Sequence, residues 1–543
     1  MDEGTVATRP GCSVFAALAD TIDGAYISND HFFKTSDTEV YNLVVDLGFT
    51  QSGRRLRVAG LAAYGIASDI TFFPTAMKKF HEDVVYNWGI SVVPSTPTVT
   101  PQGVAGNLNG TYTYVICFYN SVTGTLGARS AVSAEGVTDG VATGQIQLTA
   151  IPTTCTDTQA DEVWIFRTQG SVSGSYFYVD QVALGTATYT DNISDLELGE
   201  EVSYYHISPI TCNVAGRYKS RLLLFDTTDN PRYSYPSMGS KPEQYASNFY
   251  EMVADSGDTI EAVMALGDYA FVFGRNSIYQ MQVTEADLIY TAKLPTGRGT
   301  VNGRTVAMGT NGIYFLSDDG VYVISGFTPT KVSGIVDSMF RGVARGGLST
   351  IADTTKVAGT FVGGRYYLTY FGADAVWHTL IYNETAGRWK HFTGWLYTAE
   401  PVTGTMPIVG LTDTVGIWDW DATTDSATAF TSLCGFNLPG IPTTMLTDFR
   451  GYRISVECTG SVQVDLYDNG TLMWSAEPLV APTFYDGYKK YNVELGEYFV
   501  EPEIVISSTT PFTLKAFEAF VEPVRKTGFD YTRPMQTGQT EAV

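Results

Sequence analysis

GDYAFVFGRNSIYQMQ, residues 267–282, reads as a chain that turns back on itself. Tyr269, Phe271 and Phe273 alternate ahead of a Gly274-Arg275-Asn276-Ser277 corner, and Ile278, Gln280 and Gln282 keep the same period after it. A period of two, broken by turn-forming residues, predicts a β-hairpin. A few dozen residues later comes nearly the same sentence, GTNGIYFLSDDGVYVISG (309–326). Here Ile313 and Phe315 precede a Ser317-Asp318-Asp319-Gly320 corner, and Val321 and Val323 follow it. Looser copies stand at 216–235, 363–392 and 409–421. Counted from Gly216, Gly267, Gly309, Gly363 and Gly410, they recur every ~40–55 residues, the period of a propeller blade. One four-stranded sheet cannot cover both of its faces, whereas a ring of such sheets can. The competing expectation is two stacked sandwiches whose hairpins look alike because hairpins generally do.

Composition agrees with an all-β chain. The 543 residues imply two to four domains. Charged residues make up 17% and aromatics 13%, and there are 54 glycines. Tyrosine, phenylalanine, valine and threonine suit pleated, half-buried surfaces, and glycine and asparagine suit the turns between them. The fold class expected is therefore all-β: a β-propeller with an inserted Ig/fibronectin-III-like sandwich and a C-terminal β-sandwich.

The boundaries follow from rhythm. Residues 1–93 are expected to form the N-terminal part of the β-propeller, one or two blades, with the ring closed by the two chain regions. The proline-bearing NWGISVVPSTPTVTPQG (87–103) reads as a stiff linker into an inserted Ig/fibronectin-III-like domain, 94–205. There Thr111, Thr113, Val115 and Cys117 alternate with Tyr112, Tyr114, Ile116 and Phe118. The main β-propeller is expected over 206–430 and a C-terminal β-sandwich over 431–525, where an Asn469-Gly470 hairpin turn follows strict alternation from Ile454 to Leu466. Residues 526–543 read as a flexible tail.

The formal charge of −24 is uneven. Residues 94–205 hold 11 acids and 2 bases, against 21 and 16 in 206–430. Such a chain is a poor candidate for gripping phosphate, because that affinity comes from lysine and arginine displacing counterions. The six scattered cysteines form no CxxC and read as reduced core thiols. The acidic start with its short apolar run is not a signal peptide, and no stretch approaches the ~20 apolar residues of a membrane span. Synthesis and folding in a cytoplasm are expected.

The search for chemistry assigns no catalytic, cofactor-binding or metal-ligating residue, and expects no cofactor. No P-loop or nucleophile elbow occurs. TGRGTVNGR (296–304) is glycine-rich but sits between strands and reads as a turn cluster. His31, His81, His206, His378 and His391 lack any local metal spacing and read as surface or packed imidazoles. Asp419, Asp421 and Asp425 lack the spacing of a calcium loop and read as an acidic loop. Trp395 and Trp418 are the stacking platforms that a glycan-binding propeller would use, and a propeller hydrolase would need a carboxylate pair.

The order of motifs from NVAGRYKSRLLLFDTTDNPRYSYPSMGSKPEQY (213–245) through GDTIEAVMALGDYAFVFGRNSIYQM to GRTVAMGTNGIYFLSDDGVYVISG resembles the β-propeller tail nozzle or tail-hub proteins of short-tailed bacteriophages, also called packaged-DNA stabilisation proteins. The shared elements are the strand with Arg217 and Arg221, the Tyr233–Pro236 stretch after an Asn-Pro turn, and the two hairpins quoted above. The resemblance covers about 200 residues well. It implies a virion tail protein, assembled in the host cell cytoplasm and not an enzyme. It further implies a homohexamer below the portal and adaptor ring, next to tail fibre or spike proteins. Genomic DNA would be retained behind its channel and leave through it without specific binding. An acidic lumen in six such copies would repel phosphate and let the duplex slide. A receptor- or glycan-binding propeller module of a phage tail is the alternative.

Overall fold

The computed structural model describes residues 70–393 except for short stretches, chiefly 203–211, 226–232 and 343–347. Outside that span it describes the strands of 6–50 and 397–525, with side chains only at 47–48 and at scattered positions from 450 to 520. The chain is all-β. The only helical turns among the described residues are Gly303–Thr305, Gly334–Val336 and Asp337–Phe340. No helix among them is long and apolar enough to cross a membrane.

The hairpin at 267–282 is the centre of a four-stranded antiparallel sheet, 260–293, with its strands in chain order and Phe273 opposite Ile278. Its second strand, Tyr269–Gly274, is buried along most of its length because both faces meet another sheet. On one face Val263, Ala270, Val272 and Tyr279 pack against Val214, Tyr218, Leu223 and Phe225 of the sheet 214–252. On the other, Ala262, Phe271, Phe273 and Ile278 pack against Ile313, Phe315, Tyr322 and Ile324 of the sheet 307–331. That sheet is in turn covered by 357–393, through Tyr314 and Leu316 against Tyr366 and Leu368. Neighbouring sheets thus hide what no single sheet can, and the sentence recurs because each copy needs the next.

Seven such sheets among the described residues close a circle. Beyond the four just named lie 24–50, the three-stranded 71–87, and a sheet built from both ends of the chain. In that last sheet Tyr397–Ala399, Ile408–Gly410 and Thr414–Asp419 receive the N-terminal strand Gly11–Ala17, with Cys12 opposite Trp418. Tyr397–Ala399 lies beside both Val357–Val362 and Gly24–Ser28. Leu47 packs on Phe73 and Phe80, and Phe72 and Trp88 share an apolar cluster with Leu222, Leu224 and Tyr245. Circle and clasp are complete.

The sheets start at Val214, Ile260, Ala307, Val357 and Tyr397. The glycines used to count the repeat fall at different points within them. Gly267 and Gly363 occupy first-hairpin turns at φ of 60° and 57°, while Gly216 lies inside a first strand and Gly410 ends a second. Val-Ala-Gly opens a first strand at 214–216 and again at 357–359, while the similar Val-Asn-Gly-Arg (301–304) lies in the turn ahead of Ala307. At these glycines the neighbouring sheet comes too close for a side chain. A Cβ on Gly303 would stand 1.9 Å from the Glu261 carbonyl oxygen, and one on Gly359 2.7 Å from that of Thr305. On Gly216 it would stand 2.3 Å from Val263 Cγ1.

The chain between 98 and 191 leaves the ring as a two-layer sandwich. A sheet of Thr98–Gln102, Gln145–Thr149 and Tyr189–Asp191 faces one of Thr125–Arg129, Tyr114–Asn120, Glu162–Arg167 and Phe177–Ala183. Tyr112, Tyr114, Ile116 and Phe118 fill the core with Ile146, Leu148, Val163 and Ile165. The opposite face is not solvent-washed, since Val115 and Cys117 pack with Phe166, Tyr176 and Val202. Near the C-terminus two further sheets adjoin, linked by the edge contact of Tyr452 with Trp474 at 6.2 Å. Val6–Ala7 pairs with the long strand Phe512–Arg525, so the first strand of the chain belongs to this pair and not to the ring. Asn469, Gly470 and residues 526–543 lie outside the described residues.

Candidate functional site: the junction of ring and inserted sandwich

Three segments distant in sequence converge on one carboxylate. Glu243 follows the third strand of the sheet 214–252, Lys79 lies in Lys78–His81 of the three-stranded sheet, and Thr125 opens a strand of the inserted sandwich. Lys79 is fully buried, with Nζ 2.9 Å and 3.0 Å from the two Glu243 oxygens, and it also donates to Thr125 Oγ1. The Thr125 hydroxyl donates a hydrogen bond to Glu243 Oε2 at 2.5 Å, and the Gly89 N–H donates to Oε1 at 2.6 Å. Around this core Gln159 Nε2 donates to the Gly89 carbonyl at 2.8 Å and to Asp157 at 3.0 Å, while Asn87 donates to Asp157 at 3.3 Å.

Burial pushes the Lys79 ammonium below its ordinary lysine value, and the charge and hydrogen bonds of Glu243 oppose that shift. A buried ion pair is tolerable only when its remaining donors and acceptors are satisfied, and here they come from both domains at once. The site therefore fixes how the sandwich stands on the ring.

The histidines separate differently than their spacing in sequence suggests. His378 and His391 sit on one face of the sheet 357–393, diagonal across the hairpin that pairs Leu380 with His391. His378 Nδ1 meets His391 Nε2 at 2.8 Å, and His378 Nε2 meets both Asp374 oxygens at 3.0 Å. Tyr370 stacks on His378. His391 is not wholly shielded from solvent, yet desolvation and the neighbouring His378 push its pKa down to about 3. Burial raises Asp374, but the hydrogen bond and charge of His378 outweigh it and leave the carboxyl low. This pair is packed, its ring nitrogens meeting each other and Asp374. His81 is buried in the three-stranded sheet; His31 and His206 lie outside the described side chains.

At the repeat's corners, Arg275 reaches across to the next sheet. Its Nη1 donates to the Val301 carbonyl at 2.6 Å and its Nη2 lies 3.2 Å from Asp318 of the Ser-Asp-Asp-Gly corner. Asp319 beside it binds Arg298 and accepts from Tyr322 at 3.0 Å. The TGRGTVNGR stretch is a sheet-to-sheet connection, and several of its backbone N–H groups are engaged within the protein. Thr300 donates to Gly274 O and Val301 to Leu316 O. Among the described residues no group of three or more His, Cys, Asp or Glu is arranged to hold a metal ion. Asp421 and Trp395, and the side chains of Asp419, Asp425 and Trp418, lie outside what is described.

No family model matches the sequence, and no curated protein matches it. Solved structures do. A putative 6-phosphogluconolactonase from Bacteroides fragilis is 9% identical with a TM-score of 0.25, covering 58% of this chain and 96% of its own. KlHsv2 carrying a Gly-Ser linker in place of loop 6CD is 10% identical at 0.25, covering 69% and 98%. A quinonprotein alcohol dehydrogenase-like protein from Bacteroides thetaiotaomicron is 9% identical at 0.26, covering 73% and 77%. Likeness at this level leaves the architecture to be read from strand pairing itself.

Proposed function

We propose that this chain is a non-catalytic structural protein of the virion tail of a short-tailed bacteriophage. In this reading it forms a homo-oligomeric nozzle or hub ring below the portal and adaptor, which retains packaged DNA and forms part of its ejection channel. One observation carries the proposal: the residues behind the resemblance do architectural work. Arg275 and Asp318 join consecutive sheets at 3.2 Å. Tyr218 of the NVAGRY stretch donates to the Asp268 carbonyl of the GDY turn at 2.6 Å, and Tyr314 of the NGIYF hairpin donates to Glu384 at 2.9 Å. Residues committed in this way shape a ring and have little freedom to turn over a substrate. The rigid seat of the inserted sandwich on Glu243 suits a part that must hold a fixed place in an assembly. The net charge of −24 favours passage of duplex DNA over capture of it.

Negative-stain electron microscopy of the purified protein, alone and mixed with a portal–adaptor complex, tests this directly. The expected particle is a sixfold ring with a central opening that joins the adaptor. A monomer that stays single at high concentration and fails to join the complex overturns the proposal.

A further inference from the structure

The end of the inserted sandwich that faces away from the junction is also built. Four loops meet there and are tied to one another. Asn107 donates two hydrogen bonds to Asn192, to its Oδ1 at 2.8 Å and its carbonyl at 2.9 Å, and Gly144 donates to the Val104 carbonyl at 2.7 Å. Ser171 donates to the Thr111 carbonyl at 3.0 Å, and Gly170 to Asp195 at 2.8 Å. Beneath them the fully buried Arg167 pairs with Asp191 at 2.9 Å and with Asp195, and its guanidinium lies 4.8 Å from the centre of the Tyr112 ring. Asp191 also accepts from Tyr114 at 2.7 Å.

On this stiff platform the tips carry aliphatic side chains turned to solvent. Leu196 is 97% and Val141 79% exposed, and Val104 and Val172 are exposed on the neighbouring loops. Scattered surface valines need no explanation, but several on loops pinned at one pole of a sandwich do, because ordered loops have already lost the entropy that binding would otherwise cost. Charge narrows the partner. The domain's two cations are Arg167, buried in its ion pair, and Arg129, partly buried near the Tyr176 ring. The exposed acids on the loops of this pole are Asp139 and Glu197. Nucleic acid and anionic membrane are repelled by such a surface, and two of these poles repel each other.

We infer that the far pole of the inserted sandwich is a recognition surface for a different protein, one offering an apolar hollow edged by lysine or arginine. The inference stands apart from the tail reading and survives its failure.

A random peptide library displayed on yeast, selected against the full-length protein, tests it with the variants Leu196→Asp and Val141→Asp. Both change solvent-facing loop tips, and an unchanged melting profile verifies their fold. The expected result is enrichment of peptides that combine aliphatic or aromatic residues with lysine or arginine. These should bind either variant about tenfold more weakly, as loss of an interface anchor does, and should weaken as salt rises. Three results overturn the inference: no enrichment, enriched peptides that bind both variants as well as the parent, or a concentration-dependent dimer of the parent that Leu196→Asp abolishes, which makes a second copy the occupant.

Discussion

Two kinds of seam hold this molecule together, and they are made of opposite materials. Between the ring sheets from 214–252 to 357–393 the seam is apolar: flat faces such as Phe271, Phe273 and Phe315 meet, backbones close up at glycines, and ions such as Arg275 and Asp318 stay at solvent-facing corners. Where the sheets 71–87 and 214–252 meet the inserted sandwich, the seam centres on a buried lysine and carboxylate, one from each of those sheets, with Thr125 of the sandwich bound to both. Apolar burial is non-directional and repeats well, so each sheet can use the same solution. A buried ion pair adds little net stability compared with a well-packed apolar replacement, but it is satisfied in one arrangement only. The ring is made by repetition, and the pose of its appended domain is set by a polar lock.

The largest test of that contrast removes one half of the lock. Glu243→Ala leaves the Lys79 ammonium buried without its partner and should cost roughly 3–5 kcal/mol, read from the urea midpoint. Hydrogen exchange should rise first around 87–90 and 123–126. The double variant Lys79→Met/Glu243→Leu should recover most of the stability while the sandwich loses its fixed pose in small-angle scattering. Equal midpoints for Glu243→Ala and the parent would erase the distinction between the seams.

The matching test for the ring is steric. Gly303→Ala pushes a methyl group into the Glu261 carbonyl, and overpacking of this kind costs about 1–3 kcal/mol. Gly326 has open space where its Cβ would be, so Gly326→Ala should leave the melting temperature unchanged. If the two variants melt alike, the glycine-tight contact between sheets is not a structural requirement.

Protonation discriminates the seams as well. His391 has a folded pKa near 3 against an ordinary value of 6.5, so between those values the unfolded chain binds the extra proton. Stability is then fully present above pH 6.5 and falls as the pH drops towards 3, by about 1 kcal/mol between 6.5 and 5.5. Asp374, held low by His378, adds loss in the same direction at more acid pH. His391→Gln should flatten this slope, and exchange should show acid loosening in the sheet 357–393 before the junction. A slope unaltered by that variant would place the acid sensitivity elsewhere.

Much of the ring was legible because apolar seams leave a periodic trace. Alternation through Tyr269–Phe273 and Ile313–Val323, with glycine, asparagine and aspartate at the corners, marks hairpins wherever it occurs. The phase of the repeat was harder, since glycine serves both turns and close approaches; Val-Ala-Gly opens the sheets at 214 and 357, and the more conspicuous turn glycines mark no common point. The junction leaves no such trace. Lys79 and Glu243 are 164 residues apart, and nothing in Lys-Lys-Phe-His or Lys-Pro-Glu-Gln says which ion goes inside. The histidine pair lay between these extremes: once the hairpin register around 383–388 is fixed, His378 and His391 fall on one face, but their spacing of 13 residues shows nothing without it.

The smallest expected effect belongs to the corner where the two opening motifs meet. Arg275 and Asp318 are 37% and 69% exposed at the side chain, so water and salt compete for both, and such pairs contribute about 0.2–1 kcal/mol. Asp318→Ala should therefore lower the urea midpoint only slightly, and by less still in high salt. Arg275→Ala should cost more, because the guanidinium also satisfies the Val301 carbonyl at 2.6 Å and that acceptor is left without it. The double variant then isolates the ion pair itself: the coupling between the two positions should stay within the range of an exposed pair, well below the cost of Glu243→Ala. A coupling as large as that cost would mean that the ring seam also relies on directional charge, and that repetition of apolar faces is not sufficient to hold seven sheets in register.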